Sequence, residues 1–204
     1  MIVSVMKMIK PILFNTQMVQ AILDGRKTTT RRVIKDVDNN YTYLGSDKQK
    51  SNVLFSRNTT GLSLKIKIPY KAGDTLYVRE TWKQYEKRVG RGNQCHLEKF
   101  YGYKTDESNP KNPSEFYDGN WKPSIHMPKV AARIFLKVIG VRVERLQDIT
   151  EQGIKAEGIT EEWPPRAMDK FRKLWDSTTK EYRWETNPWV WVIEFERCDK
   201  PNER

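Results

Sequence analysis

Cysteine and histidine are scarce in this chain of 204 residues. Cys95 and Cys198 are isolated and lack a C-x-x-C spacing, and His96 and His126 are its two histidines. Structural zinc sites and disulfide frameworks need more such residues, at closer and more regular spacing. We therefore expect no metal site, no disulfide framework and no cofactor.

Long apolar segments are also missing. The N-terminal stretch M-I-V-S-V-M-K-M-I-K-P-I-L-F is interrupted by Lys7 and Lys10 and has no small-residue cleavage site, which argues against a signal peptide. We interpret it as a core strand, with Met1, Met6 or Met8 as the start of translation. No segment reaches the length of a membrane span, so we expect a cytoplasmic protein without a membrane partner.

Positive charge, in contrast, is abundant. The formal net charge is +11, while 37% hydrophobic residues and many aromatic side chains indicate a globular chain. A chain of this length forms one well-packed domain or one domain with a large insertion. An excess of positive charge attracts polyanions such as nucleic acid, although a cationic surface without a specific partner explains it equally well.

The first half of the chain alternates between ordered and polar segments. A helix is predicted from a cap at Asn15 or Thr16 to Gly25, which suits the left-handed position after a helix. Residues 71–82, K-A-G-D-T-L-Y-V-R-E-T-W, predict a turn followed by a strand. The segments at about 36–69 and 84–125 are interpreted as polar insertions, the first as a long loop or excursion and the second with one hairpin.

A phase change marks the long apolar segment 131–146. Its apolar residues change faces at Ile139 and Gly140, which predicts a β-bulge of the kind that helps a sheet to curl into a barrel. The last apolar segment, P-W-V-W-V-I-E-F-E, predicts a buried strand. Short helices and polar loops between such strands favour a single α+β domain over residues 1–204, built as a small barrel.

Two helices are predicted between these strands. Asp148 and Glu151 have the spacing of a capping box, and Gly158 follows the end of that short helix. Pro165 is a suitable first residue for a second helix with an apolar stripe.

The strongest candidate for a functional segment is G-R-K-T-T-T-R-R. It contributes Arg26, Lys27, Arg31 and Arg32, and Lys35 follows, so five cations lie within ten residues among threonine hydroxyls. That chemistry suits contact with phosphate groups. Charged runs are usually solvated surfaces, and this alternative stays open.

Other candidates carry weaker signals. Arg79 and Trp82 belong to R-E-T-W at a predicted strand end, where the aromatic ring is suited either to stacking on a base or to the core. Glu157 stands at a helix C-terminus, where the helix dipole disfavours a carboxylate, so it is a candidate general acid or base, or else an exposed side chain. His126 is a candidate site residue or a hydrogen-bonded structural one.

The ordered motifs resemble a known family. They are K-P-I-L-F, L-D-G-R-K-T-T-T-R-R, K-A-G-D-T-L-Y-V, L-Q-D-I-T-E-Q-G-I-K-A-E-G-I and W-V-I-E-F, and together they resemble the ASCH domain. The resemblance implies an α+β fold with a PUA-like mixed β-barrel, short flanking helices and the two polar insertions. R-E-T-W, W-K-P-S-I-H-M-P and N-P-W-V-W-V-I-E-F look like the longer relatives encoded by phages and prophages.

One position departs from the usual family pattern, G-x-K-x-x-E-x-R. Gly25, Lys27 and Arg32 match it, whereas Thr30 stands where glutamate is expected. Threonine there is the form found in the small bacterial amidohydrolase of this family, which removes the acetyl group from N4-acetylcytidine. Its proposed catalytic lysine, threonine and glutamate fall on Lys27, Thr30 and Glu157.

The resemblance therefore implies an amidohydrolase that acts on an acylated pyrimidine, free or in RNA. Lys27 would accept a proton, Thr30 would attack or orient a water, and Glu157 would hold the lysine or protonate the leaving amine. Because positions 27 and 30 face opposite sides of an extended strand, the three can meet only if the chain turns there. A non-catalytic RNA-binding module and a metal-independent ribonuclease are the alternatives. The expected substrate or nucleic-acid contacts are Arg26, Thr28, Arg31, Arg32, Arg79, Glu80, Trp82 and His126.

Overall fold

The computed structural model describes residues 9–107 and 120–201. Three α-helices lie in these ranges, α1 (Thr16–Leu23), α2 (Glu151–Ala156) and α3 (Pro164–Thr178). The strands are β1 (Ile9–Leu13), β2 (Thr29–Val33), β3 (Tyr41–Ser46), β4 (Asn52–Arg57), β5 (Ser63–Lys67), β6 (Thr75–Arg79), β7 (Trp82–Val89), β8 (His96–Tyr103), β9 (Phe135–Arg145) and β10 (Trp189–Cys198).

The main sheet has five strands in the order β1-β6-β9-β10-β2. β1 runs parallel to β6, and the other neighbours are antiparallel. β10 has a hydrophobic core on each face: Trp191 and Ile193 pack with α1 and β4, whereas Val190 and Val192 pack with α2 and α3. Burial on both faces explains the nearly continuous apolar sequence of this strand and confirms its prediction.

A β-bulge lies where the change of phase predicted it. Glu194 pairs with Gly140 and Phe195 pairs with Val138, so Ile139 is an additional residue in β9. Bulges of this kind increase the local twist and bend of a sheet. With these strands and short helices, the structure is a mixed, β-rich α+β fold.

The two outer strands of the main sheet, β1 and β2, line a common cleft of about 530 Å³. Nη2 of Arg32 donates a hydrogen bond across it to the Leu13 carbonyl at 2.5 Å. No ladder joins β1 to β2 in the described residues, so the sheet is curled but is not a closed barrel. The predicted N-terminal core strand is present from Ile9, and residues 1–8 lie outside the described part.

The interpretation of residues 36–69 as a long loop was wrong. The segment contains the three-stranded antiparallel sheet β3-β4-β5. Val53 and Phe55 point into the core, and the Phe55 ring lies 5.5 Å from that of Trp189. The alternation is short, and polar residues occupy the other face, so the segment appears polar in composition although one face is apolar.

Within residues 84–125 the prediction of one hairpin agrees with the structure. β7 and β8 pair in register from Trp82 with Tyr103 to Val89 with His96. The hairpin therefore begins two residues before the predicted segment, and residues 108–119 of that segment lie outside the described ranges.

The helix ends follow local capping rules. Asn15 Oδ1 accepts a hydrogen bond from the Met18 amide at 2.9 Å, as predicted for the start of α1. For α2, the predicted capping role of Asp148 was wrong, because Thr150 Oγ1 accepts the bond from the Gly153 amide at 3.1 Å. Asp148 instead belongs to a 3-10 turn, Leu146–Asp148. In the described ranges no helix is both long and apolar enough to cross a membrane.

A buried ion pair anchors the base of the β7-β8 hairpin. Arg133 donates to both carboxylate oxygens of Glu80, at 2.9 and 3.0 Å, and Glu80 is 1% exposed. Thr105 donates to the same carboxylate at 3.0 Å, and Asp106 accepts a further bond from Arg133 at 2.7 Å. The Glu80 carboxylate is stable in this buried position because both of its oxygens accept hydrogen bonds.

We expect the substitution Glu80→Gln to destabilise the fold by about 2 kcal/mol, because it weakens the charged hydrogen bonds of a partly buried guanidinium and leaves Asp106 as its remaining counter-charge. The measurement is the free energy of unfolding in urea. The matched control is Glu196→Gln, whose partner Lys137 lies at 3.7 Å in an exposed pair, and its cost should stay below about 1 kcal/mol. Equal costs for the two variants would contradict this assignment.

Candidate functional site

The turn between α1 and β2 positions Lys27. Gly25 has φ of +73°, and the amides of Arg26 and Lys27 both donate to the Ala21 carbonyl, at 2.9 and 3.0 Å. This turn changes the direction of the chain before β2 begins. Lys27 then forms an isolated antiparallel bridge with Glu157 at the end of α2. The turn thus lies before Lys27, whereas Thr30 already belongs to β2, so the predicted turn between positions 27 and 30 is not formed.

The Lys27 side chain is buried against the same glutamate. Its Nζ lies 2.5 Å from Glu157 Oε2 and 3.2 Å from the Glu157 carbonyl oxygen, and its side chain is 0% exposed. Burial lowers the pKa of the lysine ammonium, Glu157 opposes that shift, and Arg32 and Arg31 add to it. A lysine with a lowered pKa exchanges protons more readily near neutral pH.

Arg31 holds the other oxygen of the carboxylate. Its Nη1 donates to Glu157 Oε1 at 2.9 Å, while its Nε and Nη2 donate to Glu144 Oε1 at 2.8 and 2.6 Å. Gly153 of α2 lies against the guanidinium, and a Cβ there would stand 3.0 Å from Arg31 Nη2. The absence of a side chain at Gly153 thus allows α2 to lie close to Arg31.

Thr30 and Glu157 line one small cavity of about 20 Å³, beside Arg31 and Arg32. α3 covers this cavity with Phe171, Leu174, Trp175 and Thr178, and Met18 of α1 completes its wall. The volume is enough for about one water molecule. The structure therefore places Thr30 and Glu157 on one cavity wall, while Lys27 contacts Glu157 and does not line the cavity itself.

The remaining cations of G-R-K-T-T-T-R-R also have internal partners. Arg26 donates to the Gly158 carbonyl at 2.6 Å and pairs with Asp24 at 2.7 Å. Arg32 is half-buried over the Phe14 ring at 5.3 Å, and burial lowers the pKa of its guanidinium. Thr28 is exposed. This stretch is therefore mainly an internal ion-pair network and only partly a surface.

The R-E-T-W residues and His126 form a separate group. Arg79 Nε donates to the Met127 carbonyl at 2.8 Å, and Glu80 is occupied by Arg133. Trp82 is 5% exposed and packs in a core cluster with Met127 and Phe135, so its ring is not accessible for stacking on a base. His126 lies exposed in a 3-10 turn. None of the contacts described above joins these residues to Lys27.

Sequence reasoning missed Glu144 as part of the site. It lies in β9 opposite Val190 of β10, whereas Arg31 of β2 lies opposite Val192. The two side chains therefore meet diagonally across the intervening strand, and local spacing contains no signal for such a contact. Among residues 9–107 and 120–201, no group of three or more His, Cys, Asp and Glu side chains is arranged to hold a metal ion.

Comparison with known proteins gives little information on identity. No protein-family model matches the chain, and no curated protein matches it. A solved structure, that of protein EF3133 from Enterococcus faecalis V583, described as belonging to the family DUF984, covers 97% of this chain and 86% of its own, at 10% sequence identity and a TM-score of 0.44. A likeness at this level does not establish a shared function.

Gly158 allows the end of α2 to lie against the Lys27 turn. Its φ is +93°, and a Cβ there would lie 2.8 Å from Ala21 Cβ and 3.1 Å from Lys27 Cβ. Gly25 has a similar positive φ of +73°, but nothing lies within 4 Å of a Cβ built on it. The two glycines therefore share the conformational requirement and differ in the space around them.

We expect Gly158→Ala to lower the free energy of unfolding by roughly 1 to 3 kcal/mol more than Gly25→Ala, because only the former adds overpacking to the backbone strain. Chemical denaturation of both variants checks the difference. Equal losses would show that the contact between α2 and the turn tolerates a methyl group.

Proposed function

We propose that this chain is an ASCH-type amidohydrolase that removes an acyl group from the exocyclic amine of a modified pyrimidine. Lys27, Thr30 and Glu157 are its proposed catalytic residues. The observation that carries the proposal is the buried contact of 2.5 Å between Lys27 Nζ and Glu157 Oε2, beside a cavity that Glu157 and Thr30 line together. A buried, hydrogen-bonded pair of titratable groups next to a hydroxyl is suited to nucleophilic hydrolysis.

The chemistry consumes one water and breaks one C–N bond. Thr30 Oγ attacks the acyl carbon directly, forming an ester that a water then hydrolyses to restore the hydroxyl, or it orients the water that attacks the acyl carbon. The Lys27–Glu157 pair takes the proton released by the nucleophile and returns a proton to the leaving amine, giving a carboxylic acid and the free pyrimidine amine. Arg32, which lines the same cavity, supplies positive charge for the oxyanion that forms on the carbonyl oxygen.

The closed cavity also sets a requirement for substrate binding. Its volume of about 20 Å³ is far below the roughly 300 to 1,000 Å³ typical of small-molecule sites. α3 covers it with Leu174 and Trp175, so the side chains of α3, or the helix itself, must move before a pyrimidine can reach Thr30. Closure of this kind excludes water from a reacting group once the substrate is bound.

For the fold, we propose that the curled sheet is a PUA-like barrel of the ASCH type. The β-bulge at Ile139 and the hydrogen bond from Arg32 to the Leu13 carbonyl support this proposal, because both bring the outer strands towards each other. The order of the sequence motifs supports it independently.

Turnover of N4-acetylcytidine, as free nucleoside and within RNA, tests the activity. We expect Lys27→Met, Glu157→Gln and Thr30→Val each to lower kcat/KM at least about 100-fold, because each removes one proton-transfer or nucleophilic group. Product is measured by chromatography of the released cytidine. The matched control is Thr59→Val, since Thr59 is exposed in the turn that follows β4 and should retain activity.

Circular dichroism and thermal melting show whether each variant is folded. Failure of the wild-type protein to hydrolyse either substrate, or full activity in a folded Lys27→Met variant, would overturn the proposed mechanism.

The net charge of +11 favours a second function, RNA binding without catalysis. Such binding should weaken steeply with salt, with a log–log slope of about −0.7 per phosphate contact on single strands. Because Lys27 is buried and does not reach a phosphate on the surface, we expect Lys27→Met to leave RNA affinity unchanged. Fluorescence titrations of labelled RNA at several salt concentrations measure both effects, and an affinity that ignores salt would exclude phosphate contacts.

A further inference from the structure

We infer that Glu144 is a positioning residue for the Lys27–Glu157 pair, acting through Arg31. The inference deepens the proposed function, because it assigns a control on the proton distribution of the same site. Its geometric basis is independent of which substrate the protein takes.

The side chains form a continuous series of alternating charge. It begins at Lys27 and passes through Glu157, Arg31 and Glu144, and Arg142 and Glu194 extend it to the surface. The first three side chains are between 0% and 4% exposed, Glu144 is 16% exposed, and the last two are 48% and 44% exposed. Glu144 is therefore the junction between the buried part and the solvated part.

Glu144 balances the charge of the buried part of this series. Lys27, Arg31 and Glu157 in their ionised forms carry one net positive charge in a site that water barely reaches. An uncompensated buried charge is costly, and the group that most easily relieves it is the one that can lose a proton. Arginine keeps its proton, so the lysine is that group. With Glu144 included, the four groups are neutral, which favours the protonated form of Lys27 against the further positive charge of Arg32.

Glu144 also favours the protonated form of Lys27 by orienting the Arg31 guanidinium. Glu144 Oε1 accepts from both Nε and Nη2 of Arg31, which leaves Nη1 to approach one oxygen of Glu157. The second oxygen of Glu157 is thereby left for Lys27. If Glu144 lost its charge, Arg31 would be free to turn more of its fork towards Glu157, and the lysine would lose part of its counter-charge.

Charged and aromatic side chains from three segments lie near Lys27. α2 contributes Glu157, β2 contributes Arg31 and Arg32, and the segment after β1 contributes the Phe14 ring, 5.8 Å from Nζ. Burial lowers the pKa of Lys27, and Glu157 is the carboxylate in direct contact that raises it. Removing the charge of Glu144 should lower the pKa of Lys27 further, because it removes a nearby negative charge and frees Arg31 to compete for Glu157.

The test is an NMR titration of Lys27 in protein labelled with ¹³C at lysine Cε, with the Lys27 signal assigned from its loss in Lys27→Arg. We expect Glu144→Gln to lower the Lys27 midpoint by about one pH unit, a tenfold change in proton affinity. The amide keeps the shape of Glu144 and an acceptor oxygen for Arg31. The matched control is Glu194→Gln, which touches Arg142 at the solvated end and should leave the Lys27 midpoint unchanged.

If Glu144→Gln does not fold, Glu144→Asp keeps the charge but draws it away from Arg31, and we expect a smaller shift in the same direction. A folded Glu144 variant whose Lys27 midpoint equals that of the wild type would overturn the inference. The NMR readout needs no turnover, so its failure is distinct from a failure to hydrolyse acylated cytidine. If turnover is present, the pH profile of kcat should move with the Lys27 midpoint, which a purely structural role for Glu144 would not produce.

Discussion

The contact between Lys27 and Glu157 is the interaction on which the arrangement of the site depends. It joins the turn after α1 to the end of α2, through both side chains and backbone. Burying two charged groups is favourable only when each is closely paired and the remaining hydrogen-bonding capacity is satisfied. Here Arg31 satisfies the second carboxylate oxygen, so the position of α2 and the beginning of β2 are fixed by one carboxylate.

Two buried networks of charge divide the described part of the protein into regions with different roles. One is centred on Glu157, beside the cavity of Thr30, and the other joins Glu80 to Arg133 at the base of the hairpin. The second carboxylate is saturated by a bidentate arginine and a hydroxyl, which gives it a structural role. The first shares its oxygens between an arginine and a titratable lysine, and perturbed titratable pairs of this kind are candidates for functional sites.

Local signals were enough to predict several elements of the fold. Asn15 and Gly25 bracket α1 by capping alone, and the phase change at Ile139 located the bulge. The cap of α2 was misplaced, since Asp148 and Thr150 are both competent and only the preceding 3-10 turn decides between them.

The rest required distant contacts. The sheet β3-β4-β5 was hidden because its apolar face is covered only on docking against Trp189, which lies more than a hundred residues away in sequence. Glu144 could not be predicted for a related reason, since its contact with Arg31 is decided by the registers of β9 and β2 on either side of β10.

β10 occupies an interior position in the main sheet although it is the last strand of the described chain, so β2 has no lateral partner until β10 has left the ribosome. During synthesis, the Lys27 turn is therefore attached to an unpaired β2 strand until β10 is available to pair with it.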